Sequence, residues 1–324
     1  MDIFEQLHQQ NFITRQQLDK IKLQQQQPVS VHWDILMLLY LGILLATTAL
    51  GILVYKNIDT IGHTAIIISI GLTCLACFVY CFKKANKYAP VKVESPNILF
   101  DYILLMGCLL LLTFVGYLQY QYNVFGNLWG LAVFIPMVIL FFCAYYFDHI
   151  GVLSIAITNL AAWLGITVTP LQILNQNNFS DERLIYSGIL LGAALIVFSI
   201  ITMQKNIKAH FTFTYKNFGA HILFIALLAA MFNYHNIYLV WFLAIIAVAY
   251  WFFNNAVKKN AFYFLVITVL YAYIAVSYVI IDLLFAIPDT SAVYLGAIYF
   301  IGSGIALIRL LMFYNKKLKQ DASI

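Results

Sequence analysis

Long apolar stretches dominate this chain and short polar breaks punctuate them, a rhythm that predicts helices able to cross a bilayer. A spanning helix needs about 20 mostly apolar residues. Ten segments meet or approach that length: Ile35 to Tyr55, Thr64 to Phe82, Ile98 to Gln119, Leu128 to Phe147, His149 to Val168, Leu184 to Met203, Phe218 to Tyr234, Ile237 to Phe253, Ala261 to Ile281 and Ala292 to Tyr314. The seventh and eighth are the shortest, and they could instead form one re-entrant pair. The expected fold is all-α, a polytopic membrane bundle of about ten helices. An N-terminal arm (residues 1–33) precedes the transmembrane domain (34–315), and a basic tail (316–324) follows it.

Charge orients the pattern. Of the 18 Lys and Arg residues, all but Lys56 and Arg183 fall in the arm, in the even-numbered gaps between spans, or at the end of the last span. Cationic loops stay on the cytoplasmic face during insertion. Both termini are therefore expected in the cytoplasm, in a multi-pass arrangement.

Composition narrows the class further. With 63% hydrophobic and 10% charged residues and a mean hydropathy of +0.88, the chain departs far from soluble proteins, which carry roughly 25% charge. The net charge of +5 sits at span ends, where anionic headgroups lie. Membrane lipids are the expected partners, and nucleic acid is not. The chain opens on a polar, Gln-rich stretch rather than an apolar run with a cleavage site, so the first span is expected to serve as the targeting signal.

The arm carries Ile3, Phe4 and Leu7 on one helical face, then Thr14 and Gln17 at capping-box spacing before Leu18 and Ile21. It reads either as a small helical hairpin that docks on a protein partner or the membrane, or as a solvated tether. Ten spans also divide as five and five, which would invert one half relative to the other. A local echo, Tyr40-Leu-Gly42 against Tyr186-Ser-Gly188, opens the first and sixth spans.

No nucleotide loop, nucleophile elbow or paired metal-ligand motif is present. Catalytic residues, cofactors and metals are accordingly none in this reading. All five cysteines lie in apolar segments. Cys74, Cys77 and Cys81 share one stripe of the second span, a spacing that fits packing better than soft-metal binding because no His or acid completes a set. Ionisable groups in or at the rim of a bilayer are the default pointers to function. Asp101 lies a turn inside the third span, after a Ser95-Pro96 start that suits a cap. Asp148 and His149 form the turn between the fourth and fifth spans, and His221 sits just inside the seventh. Arg309 lies roughly 9 Å of helix rise from the end of the last span, where it can snorkel to the headgroups or pair with Asp101 or Asp148. Together these five form a candidate polar cluster on the cytoplasmic side. Elsewhere mid-membrane polarity is thin, limited to residues such as Thr47, Thr48 and Asn159.

The arm from Leu7 through Asn11-Phe12-Ile13-Thr14 to Ile21, the Leu41-Gly42 and Leu50-Gly51 steps, and the turn Tyr55-Lys56-Asn57-Ile58-Asp59-Thr60-Ile61 resemble a bacterial family. It is the family of predicted multi-spanning membrane proteins known as domain of unknown function twenty-one fifty-seven. In that turn Asn57 and Asp59 match the family pattern, while Ile58 replaces a Trp and Gly62 stands where Pro is common. The resemblance implies a bacterial inner-membrane location and no assigned activity. Asn57 and Asp59 are candidates to cap the second span or to bind a ligand in the external turn. Two functional classes stay open. One is a carrier or flippase-like protein for a small neutral or lipidic molecule, and the other a non-transporting scaffold or sensor component. An intramembrane enzyme is third.

Overall fold

The computed structural model describes residues 14–15, 32–56, 62–168, 181–286 and 291–321. Most of the arm, including Gln17, lies outside them, as do Asn57 and Asp59. Among the described residues every regular element is helical: α1 (His32–Lys56), α2 (His63–Lys84), α3 (Ile98–Tyr122), α4 (Trp129–Phe147), α5 (Ile150–Val168), α6 (Glu182–Lys205), α7 (Thr212–Asn233), α8 (Tyr238–Lys258), α9 (Phe262–Phe285) and α10 (Ser291–Asp321). Nine of them, α2 to α10, are long and apolar enough to cross a membrane, and α1 contains the apolar stretch Met37–Leu53. The polytopic helical bundle expected from the pattern is the fold.

The chain divides into two compact units, Met1–Ile66 and Ile67–Ile324. In the first, α1 satisfies its own mid-helix polar groups: the hydroxyls of Thr47 and Thr48 donate to the carbonyls of Ile43 and Leu44 at 2.8 and 2.7 Å. Such back-bonding removes the cost of an unpaired hydroxyl in hydrocarbon.

In the second unit, short polar residues set where the helices turn. Asn123, Asp148 and Asn206 end α3, α4 and α6 in the left-handed conformation, with φ of 49°, 58° and 52°. Asn and Asp tolerate that region better than other side chains bearing a Cβ. Asn97 caps α3, its Oδ1 accepting from the Phe100 N–H at 2.7 Å. The cap is therefore Asn97 rather than the Ser95-Pro96 step, which frees Ser95 for another contact. Buried Gln119 organises the α3–α4 turn. Its amide donates to Asn123 Oδ1 and to the Gly126 carbonyl, and its oxygen accepts from the Phe125 N–H.

Two apolar cores fill this unit. One gathers Cys81, Leu104, Cys108, Leu140 and Ile157 among α2 to α5; the other gathers Phe224, Ile245, Phe252 and Leu265 among α6 to α9. The cysteine stripe of α2 packs on α3, where Cys74 donates to the Gly107 carbonyl at 3.4 Å. The closest approach between helices is that of α6 and α7. A Cβ built on Gly192 would stand 2.6 Å from the Leu223 nitrogen, and one on Gly219 would stand 3.0 Å from the Gly192 carbonyl oxygen. Small residues at such crossings let backbones meet where lipid supplies no hydrophobic drive.

The seventh and eighth segments are full helices of 22 and 21 residues, not halves of a re-entrant pair. Helix α7 starts six residues before Phe218 because its polar first turns find partners. Thr214 and Tyr215 are buried, Asn217 accepts from the Tyr263 hydroxyl at 2.8 Å, and Lys216 lies over the Phe264 ring.

Candidate functional site

The C-terminal ends of the even-numbered helices and the N-terminal ends of the odd ones meet at one face of the second unit, which also carries most of its lysines. There the segment that links α2 to α3 crosses the α4–α5 turn and the α6–α7 link. Asp148, the left-handed residue that ends α4, turns its carboxylate inward to the point of near-complete burial (1% exposed). Lys208 Nζ lies 3.0 Å from Oδ2, and that side chain is 0% exposed. His210 Nε2–H donates to Oδ1 at 2.6 Å, and the Val93 N–H donates to Oδ2.

Lys208 is itself left-handed, with φ of 50°, a conformation that costs a non-glycine residue about 1–3 kcal/mol. Its surroundings hold it there. The Lys208 N–H donates to the Pro90 carbonyl at 2.7 Å, Nζ donates to the Val91 carbonyl at 3.2 Å, and the ammonium stands 5.1 Å from the centre of the Tyr88 ring. Three stretches far apart in sequence are thus clasped around one buried ion pair. Both charges of the pair are also hydrogen-bonded to backbone groups, as burial requires.

A second acid–histidine pair adjoins the first. His149 Nδ1 accepts from the Val152 N–H at 3.1 Å and so caps α5, which leaves Nε2 facing Asp101 Oδ1 at 3.7 Å. Asp101 also accepts from the Ser95 hydroxyl at 2.6 Å. Burial lowers the pKa of His149 from its ordinary value, while the nearby carboxylates of Asp101 and Asp148 oppose that shift. The capping bond works in the same direction as burial, since only an unprotonated Nδ1 accepts it.

The five candidate side chains are not all brought together. Asp101, Asp148 and His149 meet; His221 and Arg309 are elsewhere. Because α7 begins at Thr212, His221 lies nine residues inside it, about 14 Å along the axis, not at the rim. Its Nδ1 meets the Tyr271 hydroxyl of α9 at 2.9 Å, and Phe224 stacks on that ring. Arg309 is exposed on α10 and makes no ion pair among the described residues. Helix α10 is held instead by hydroxyl pairs to α9, Tyr273 with Ser303 at 3.0 Å and Ser277 with Tyr299 at 2.9 Å.

Sequence reasoning counted Lys208 among the loop cations and passed over His210. The available signal was complementarity: Asp148 is an acid in a two-residue turn on the same expected face as a link carrying Lys208 and His210.

Away from this face, a cavity of about 460 Å³ opens between α5, α6 and α7. Its lining includes Ala161, Ala162, Gly165, Gly188, Ala226 and Ala229. Among the described residues Ser187 is the one hydroxyl-bearing side chain in that wall, so the cavity suits an apolar occupant.

These features define a multi-pass, all-helical membrane protein. Residues 5–153 match the family model described as predicted membrane protein (DUF2157), so the likeness read from the first seventy residues extends through α4 into α5. That stretch, just under half of the chain, contains Asp101, Asp148 and His149 but ends before Lys208 and His210. No curated protein and no solved structure matches the chain significantly.

Proposed function

We propose that this protein is a carrier or flippase-like protein for a lipidic or small neutral molecule, resident in a bacterial inner membrane with both termini in the cytoplasm. The observation that carries the reading is the α5–α7 cavity. Its volume falls within the range of about 300–1,000 Å³ typical of small-molecule sites, and among the described residues its lining of Ala, Gly, Leu and Ile with one Ser offers no charge to compensate a charged solute. It lies towards the helix ends opposite the lysine-rich face, where a lipid chain could enter sideways from the bilayer. The test is transbilayer movement of a fluorescent phosphatidylcholine in liposomes holding the purified protein. The wild type should accelerate it, and Ala161→Phe with Ala229→Phe, which fills the cavity, should slow it about tenfold. Unchanged movement in the filled variant would defeat the proposal.

A second reading, a scaffold or sensor component, is favoured by the clasp around Asp148, in which the buried acid is already taken up by Lys208 and His210. Liposomes that show no lipid movement with folded wild-type protein would favour it. In that case the arm, Met1 to Gln27, is the proposed docking segment for a protein partner, and its deletion should abolish recruitment without preventing insertion. The orientation rests on the lysine asymmetry. An impermeant thiol reagent applied to intact cells should label cysteine at Val124 and not at Lys87; the reverse pattern would invert the topology.

A further inference from the structure

We propose that Lys216 and Lys259 form a binding site for the phosphate headgroup of an anionic phospholipid at the lysine-rich ends of α6 to α9. Lys216 is half-buried on the second turn of α7 and stands over three rings, 4.4 Å from the centre of Phe264, 5.3 Å from Phe252 and 5.9 Å from Trp251. Lys259, just past α8, reaches back to α6, where its ammonium meets the Met203 sulfur at 3.5 Å. Phe264, which lies under the Lys216 ammonium, follows Lys259 by five residues, so both lysines belong to the same end of α7 to α9.

At that end the sequence of these helices supplies no counter-charge. Between Glu182 and Asp282 the chain contains no Asp or Glu at all. The nearest acid that the fold brings to this link, Asp148, is taken up by Lys208 and His210. Among the described residues neither Lys216 nor Lys259 lies within ion-pair reach of a carboxylate. The N-terminal ends of α7 and α9 adjoin the pair, and their dipoles add positive potential there. Two cations gathered at one end of these helices, with no carboxylate beside them among the described residues, call for an anion from outside.

The surroundings point to a lipid as its source. Phe213, Trp251 and Tyr263 present exposed rings around the lysines, and Tyr263 is fixed by its bond to Asn217. Aromatic side chains at headgroup level beside basic residues are the usual furniture of a bilayer interface, and basic pockets between helices on one face accept anionic headgroups. Apolar flanks of this kind would contact acyl chains, which a free phosphate lacks. The site stands apart from the α5–α7 cavity and does not depend on it.

The experiment uses the full chain, purified and delipidated in a neutral detergent, with phosphatidylglycerol or phosphatidylcholine added back. Retained lipid is read by native mass spectrometry and the unfolding midpoint by fluorescence. Wild-type protein should retain phosphatidylglycerol preferentially and be stabilised by it. Lys216→Gln with Lys259→Gln should weaken that binding on the order of tenfold, whereas Lys83→Gln with Lys84→Gln, an equal loss of charge on α2, should not. Lys259→Gln alone, at an exposed position, should give a smaller loss in a protein whose folding is not at stake. Lys216→Arg with Lys259→Arg should retain binding. Equal retention by the Gln pair and the wild type, an equal loss in the α2 control, or equal stabilisation by inorganic phosphate would each overturn the assignment.

Discussion

Replacing Asp148 with Asn tests the clasp with least collateral change. Asn keeps the size of the side chain and its tolerance of the left-handed backbone, and it can still accept from the Val93 N–H. What it removes is the only counter-charge that Lys208 has among the described residues, and the Lys208 side chain is wholly buried. Breaking a buried pair by removing one partner costs about 3–5 kcal/mol, because the remaining charge keeps its desolvation penalty. The lower end applies here, since Nζ retains the Val91 carbonyl and the Tyr88 ring face. Asp148→Asn should thus destabilise the protein by about 3 kcal/mol. Lys208→Met keeps the length of the stem and removes the charge, so the double variant should recover more than half of that loss, a coupling of at least about 1.5 kcal/mol. Reversible unfolding in mixed micelles, followed by tryptophan fluorescence, supplies the four free energies. Proteolysis within residues 85–97 should rise in the single variant and fall back in the double. A single-variant cost below about 1 kcal/mol, or strict additivity in the cycle, would refute the clasp as a stabilising device.

The His149 environment predicts a pH effect of definite sign. Its folded-state pKa lies below the ordinary value near 6.5, so the unfolded chain binds the proton more readily. Its contribution is full above that value and is lost as pH falls through the interval between the two pKa values; His149→Asn should flatten the decline in thermal midpoint below about pH 6.5, and an unchanged decline would exclude this group as its source. At the α6–α7 crossing, Gly192→Ala forces a Cβ to 2.6 Å from backbone, whereas Gly188→Ala meets the Ala226 Cβ at 3.1 Å. Overpacking of about 1–3 kcal/mol should exceed the helix-propensity gain at Gly192 but not at Gly188, and equal midpoints for the two variants in detergent would show that the crossing relaxes freely. Arg309→Lys should retain wild-type stability, since an exposed stem of either kind reaches the headgroups; a clear loss, relieved by neutralising Asp101 or Asp148, would restore the ion pair that the geometry does not show.

What could be read from the sequence follows the range of the interactions involved. Hydropathy is a local property, and it placed all ten helices, with its largest errors at the polar start of α7 and at the end of α10, which continues seven residues past Tyr314. Tyr215 to Asn217 read as loop because their partners, Tyr145 on α4 and Tyr263 and Phe264 on α9, lie some fifty to seventy residues away. The same distance hid the clasp. Asp148, His149 and Asp101 were recognisable as ionisable groups at a membrane rim, but the partner of Asp148 is set by how α6 meets α7, not by any spacing along one helix. His221 was seen and misplaced for a connected reason: a start of α7 taken at Phe218 put it at the rim, and the true start at Thr212 sinks it to the depth of Tyr271.

Depth also separates two kinds of polar contact in the second unit. At the lysine-rich face, full charges are paired or stand beside lipid, and their partners come from different links. Deeper in, His221 with Tyr271, Tyr273 with Ser303 and Ser277 with Tyr299 are single bonds between neighbouring helices, and in membranes such bonds average about 0.6 kcal/mol each. The clasp should therefore resist movement far more than the α9–α10 contact does. If the protein changes shape while handling a lipid, the α2–α3 link, the α4–α5 turn and the α6–α7 link must move as one body. Sliding is easier for α10, most of whose side chains are exposed and whose polar links to α9 are two hydroxyl pairs. A carrier reading that required the clasp to open in every cycle would have to supply several kcal/mol each time, so the mobile elements are to be sought among the helices outside the clasp.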